Sequence, residues 1–159
     1  MHQVIITADF AGELANLSQR TKSGRAITHT NEEYAAAVAK VLLLPRDREI
    51  EILAVFNARV LEGILDDPKT ERFQWIYHLL HHEFCHVHDD NKKLDAMPEV
   101  WLNNYYSGKD IYIGPLAETC WSEYAANRLS ASTACNACIT AMVDSFAEAL
   151  ERTKKRFGR

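Results

Sequence analysis

Residues 81–90 read HHEFCHVHDD, and within them His82-Glu83-Phe84-Cys85-His86 spells H-E-x-x-H. This spacing constrains the chain more than any other feature of it. Residues four apart on an α-helix lie one above the other. Two imidazoles at i and i+4 of a helix can therefore both face one metal ion. Glu83 then projects beside the metal face, within reach of a water held there. The pattern thus asks for three things: a helix, a second element that brings a third ligand, and a pocket around them.

The flanking sequence supplies the helix. Asp67-Pro68 is a helix-start signal, an N-cap residue followed by proline at the first helical position. The spacing predicts a helix from about Pro68 to His88. Phe73, Ile76, Leu80, Phe84 and Val87 form one apolar stripe, and Trp75, Leu79, His82 and His86 a second. The second stripe sets both histidines on a face that packing would cover.

Catalytic zinc keeps three protein ligands and leaves a fourth position to water, whose pKa it lowers to roughly 7. A carboxylate in reach then serves as general base and later as general acid. The third ligand is expected from ETCWSEYAANR, residues 118–128, within a helix predicted over about 116–129. Glu123 is preferred, because small Ala125 and Ala126 let its helix come close to the histidines. Glu118, near the helix start, is the rival and has a plainer role there against the helix dipole. Asn127, one turn beyond Glu123, is placed to steady a ligand by a hydrogen bond.

H-E-x-x-H followed some tens of residues later by E-x-x-A-[ND] is the gluzincin pattern. HEFCH with EYAANR most resembles the ImmA/IrrE-type metallopeptidases, over roughly residues 68–130. The resemblance implies His82, His86 and Glu123 as zinc ligands and Glu83 as the base. It also implies a strand before the histidine helix, along whose edge a peptide substrate would lie. The metzincin pattern does not fit, since Asp89 stands where glycine is required and Lys92 where a third histidine would be.

Other chemistry-bearing residues have weaker claims. His78, one turn before His82, could orient the site, but an ordinary helical histidine is the preferred reading. His81 and His88 are expected at the surface. Tyr105, Tyr106 and Tyr112 lie between the two halves of the site and are candidates to stabilise an oxyanion, although packing under a long connection explains any one of them better. Trp101 and Trp121 read as core or pocket wall. Cys135-Asn136-Ala137-Cys138 is a lone C-x-x-C without the two further ligands of a structural zinc site or the βαβ setting of a thioredoxin-like one. Small thiols packed in helices are the preferred reading.

The rest of the chain reads as follows. Residues 3–7 form a β-branched strand, and 9–20 a helix with Phe10, Leu14 and Leu17 on one side. Residues 21–30 form a polar loop. Residues 30–44 form an Ala-rich helix with a Thr30–Glu33 capping box, stopped by Pro45. Residues 49–56 form a strand, 89–115 a long polar-aromatic connection, and 134–155 a helix with Ile139, Met142, Val143, Phe146 and Leu150 on one face. The expected architecture is a single α+β domain over residues 1–159, mostly helical with a small β-sheet and zincin-like. Its parts are an N-terminal portion (1–66), the metal-site helices (68–130) and a C-terminal helix (134–155).

The 159 residues carry a formal charge of −4, so no basic excess calls for nucleic acid. The N-terminal apolar run meets Asp9 at once, and no stretch reaches the roughly 18 apolar residues of a membrane span. A cytoplasmic protein is expected. The expected function is zinc-dependent hydrolysis of a peptide bond in a protein or peptide substrate. The rival is a zinc-binding, catalytically silent module that engages a regulatory protein partner.

Overall fold

A computed structural model describes residues 2–20, 31–32, 35–36, 38–46, 49–97 and 108–158. The chain is a mostly helical α+β protein built around a three-stranded sheet. Strands β1 (His2–Thr7), β4 (Ala39–Arg46) and β5 (Glu49–Asn57) form it in the order β1-β5-β4. β5 is central, parallel to β1 and antiparallel to β4. Asn31–Glu32 (β2) and Ala35–Ala36 (β3) make a separate short ladder.

The composition of β5 explains its place. Ile52, Leu53, Ala54, Val55 and Phe56 are all buried. A strand covered on both faces needs a continuous apolar run, and alternation would leave one face polar. Leu53 and Val55 join Leu42 and Leu44 of β4 against Phe10, Leu14 and Leu17 of helix α1 (Phe10–Arg20). α1 begins where expected, with Asp9 Oδ1 accepting from the Gly12 amide at 2.9 Å. On the opposite face, the ring of Phe56 meets that of Phe84 at 6.1 Å between centroids. Phe84 belongs to α2 (Glu71–Ala96), the helix that carries the H-E-x-x-H motif and packs on β4 and β5.

Residues 39–46 are strand rather than helix, and Ala35–Ala36 are strand too. Alanine favours helix, but Leu42 and Leu44 fall on the core face at the two-residue period of a strand. Pairing along eight residues of β5 then outweighs the local preference. Pro45 lies within β4 and does not stop the element: β4 is an edge strand, where a missing amide is tolerated. The Thr30–Glu33 capping box lies outside the described residues.

α2 starts one turn later than Pro68. Asp67 instead closes a turn, its Oδ1 accepting from the Lys69 amide at 2.9 Å, and Thr70 is the N-cap, accepting from the Phe73 amide at 3.2 Å. Gly63, at φ +94°, supplies the left-handed residue in the turn that leads there. α2 also continues through residues 89–96, expected as loop. Their charges read as solvated sequence, yet Lys93 pairs with Asp89 four residues back and with Asp90 three back. Such pairs support helix.

α3 (Asp110–Ser130) begins six residues before Leu116 and contains Pro115. It packs along α2, with Ala126 and Ser130 fully buried at four-residue spacing. A 3-10 turn (Ala131–Thr133) leads to α4 (Asn136–Phe157). The expected apolar face of α4 exists, but its residues Ile139, Met142, Val143, Phe146 and Leu150 are exposed. Among the described residues, no helix is long and apolar enough to cross a membrane.

Candidate metal centre

Helical spacing sets His82 above His86 on α2, with their Nε2 atoms 3.1 Å apart. α3 brings Glu123 to the same point. Its two carboxylate oxygens lie 3.6 Å from His82 Nε2 and 3.7 Å from His86 Nε2. Two nitrogens about 2.05 Å from a tetrahedral metal stand roughly 3.3 Å apart. The nitrogens thus converge as ligands of a shared ion do, and these three residues form a group able to hold one. The fit to a metal is chemical as well as geometric, since two imidazoles and a carboxylate suit a borderline divalent cation.

Fully buried Ala126 lets α3 approach closely enough for Glu123 to reach the histidines. Glu118 does not join the group, although it lines the same cavity. His86 is held from behind by a residue that sequence reasoning missed. Its Nδ1 stands 2.9 Å from Ser122 Oγ. In the tautomer that leaves Nε2 free for a metal, Nδ1–H donates to that oxygen. Ser122 has no motif of its own; its single signal is its position just before Glu123.

The electrostatics suit ligands and a base. The His82 imidazole, 3.6 Å away, holds the Glu123 carboxyl below its usual range, against the effect of burial, and His86 acts in the same direction. Burial lowers the pKa of His86, which favours the neutral, ligating form. Glu83 lies next to the group and its pKa is pushed up to about 7, first by burial and further by Glu123, against the influence of His82.

Two cavities, of about 680 and 780 Å³, meet at Glu83 and Glu123. Both are walled on one side by β4, through Ala39–Leu43 in the first and through Ala39, with Val38 just before it, in the second. His86, Asp90 and Glu118 complete the first; Trp75, Leu79, His82 and Asn127 help to line the second.

Other residues singled out from the sequence are placed differently. Asn127 donates to the main-chain carbonyl of Glu123 at 2.7 Å, and so steadies the helix turn and not the carboxylate. His78 is buried and lies 6.5 Å from the His82 ring on the wall of the second cavity, with Nδ1 3.1 Å from Thr133 Oγ1. His81, expected at the surface, reaches the same hydroxyl at 2.9 Å. Thr133 gives its own proton to the Ser130 carbonyl at 2.8 Å, so both rings donate to it. This second overlooked residue ties α2 to the end of α3. His88 is exposed. Tyr112 is 82% exposed on the first turn of α3, and no tyrosine among the described residues lines either cavity. Tyr105, Tyr106 and Trp101 lie outside the described residues. Trp121 is half-exposed and lines neither cavity; its Nε1 donates to Asp89 at 3.4 Å.

Compared with protein-family models, curated proteins and solved structures, the chain matches none.

Proposed function

We propose that the protein is a zinc-dependent metallopeptidase of the gluzincin kind. The observation that carries this reading is the convergence of His82, His86 and Glu123 with a half-buried carboxylate, Glu83, beside them at the junction of two cavities. A purely structural metal site would have no use for that carboxylate. Among the described residues the metal group is three-membered and does not include His78, whose Nδ1 meets Thr133. The number of ligands is that of a catalytic centre with one position free.

A zinc ion bound there supplies Lewis acidity and brings the pKa of water toward 7. The chain's own residues do the rest. The Glu83 carboxylate takes the proton of the attacking water and delivers it to the amine that leaves. A carboxyl group in this position can serve first as base and then as acid. Ser122 keeps the His86 ring turned so that Nε2 faces the centre. The edge of β4 runs along the cleft and pairs on its other side with β5. An extended peptide can add to such an edge through main-chain hydrogen bonds. A protein or peptide substrate suits this shape better than a compact small molecule.

The test is cleavage of a quenched fluorescent peptide library by zinc-loaded protein. Glu83→Gln should lower cleavage by about 10²- to 10⁴-fold while zinc content stays as in the parent. Equal cleavage by that variant would remove Glu83 from the mechanism.

A further inference from the structure

The C-x-x-C of residues 135–138 lies at a helix start, a setting with its own chemistry. Cys135 is the N-cap of α4, and its Sγ accepts from the Cys138 amide at 3.3 Å. The two sulfurs are 2.8 Å apart. A disulfide bond is about 2.05 Å long, so less than about 1 Å of approach separates the thiols from a bond. Their exposures differ in the useful sense: Cys138 is 3% exposed, while Cys135 is only half-buried. One sulfur can meet a reagent from solution and the other waits behind it.

The electrostatics run the same way. Burial opposes ionisation of Cys135, but hydrogen bonds from the Cys138 thiol and from the amides of the first turn outweigh it, and its pKa is lowered. The Cys138 pKa is raised, by burial first and then by the bond it makes to Cys135. Thiols at helix N-termini and in this motif are the ones that ionise most readily. Packed inert thiols would not show this division.

We infer that Cys135 and Cys138 form a reversible redox couple, with Cys135 as the attacking and Cys138 as the resolving sulfur, closed by exchange with a low-molecular-weight disulfide. The Cys135 thiolate attacks one sulfur of the small disulfide, forms a mixed disulfide and expels one thiolate. Cys138 gives its proton to solvent and attacks the Cys135 sulfur. The intramolecular bond closes and the second thiolate leaves. The protein loses two electrons and two protons overall, and the small disulfide becomes two thiols. Cys138 shares a cavity wall with His82, Glu83 and Glu123, so the couple lies beside the candidate metal centre without belonging to it.

The experiment is incubation of the purified full chain with oxidised glutathione, followed by peptide mapping. The wild type should carry a Cys135–Cys138 disulfide that reduced glutathione reopens. Cys138→Ser should instead accumulate glutathione on Cys135. Cys135→Ser keeps an N-cap oxygen, and so the fold; its Cys138 should react at least tenfold more slowly than Cys135 does in Cys138→Ser. Wild-type protein that keeps both thiols free, or takes up glutathione only at exposed Cys120, would overturn the couple. Equal rates in the two serine variants would overturn the order of attack.

Discussion

Ser122 and Thr133 show what single hydroxyl groups do in this molecule. Ser122 fixes one imidazole of the metal group, and Thr133 gathers two others that would compete for it. Groups that orient a ligand typically change metal affinity by about 10- to 100-fold when removed. Ser122→Ala should therefore weaken zinc binding by about that factor in competition with a chromogenic chelator; unchanged affinity would show that the hydroxyl holds nothing that matters. At this scale the sequence was informative wherever a placement depends on spacing within one helix. His82, Glu83 and His86 needed only the 3.6-residue turn, and Glu123 could be chosen over Glu118 by its small neighbours. Ser122, Thr133 and the bond of Asn127 to a main-chain carbonyl depend on how α3 is rotated against α2, which no local pattern encodes.

The elements show where local preference ends. Strand β1, helix α1 and strand β5 follow from β-branched runs and helical spacing, and they lie within a residue or two of the expected bounds. β4 does not, because the alanine run and capping pattern ahead of it in the sequence favour a helix while its partner strand demands pairing. The two-residue alternation of Leu42 and Leu44 was the available signal. The start of α2 is ambiguous in the same way, since Asp67-Pro68 and Thr70-Glu71 both resemble helix starts. In the fold, Thr70 caps the helix and Asp67 only a preceding turn. Thr70→Ala should cost about 1 kcal/mol in urea unfolding of the metal-free protein, and Asp67→Ala less than half of that. The reverse order would move the start of α2 back to Pro68.

Across the whole molecule, the sheet joins two kinds of structure. One face of it builds the apolar core with α1, and the other carries the helix that presents the histidines. β4 takes part in both, through Leu42 and Leu44 in the core and through Ala39–Leu43 along the cleft. The α+β class was legible because helical and strand periodicities alternate along the chain; the cleft was not, because it forms between β4, α2, α3 and α4, which meet only on folding. The central claim is that this arrangement makes one metal site from His82, His86 and Glu123. Elemental mass spectrometry of the purified protein, beside Glu123→Ala and Glu118→Ala, tests it most directly. About one zinc per chain is expected in the wild type and in Glu118→Ala, and loss of zinc in Glu123→Ala. A wild-type protein that holds no metal even after zinc is offered, or a Glu123→Ala variant that holds as much as the parent, would contradict it.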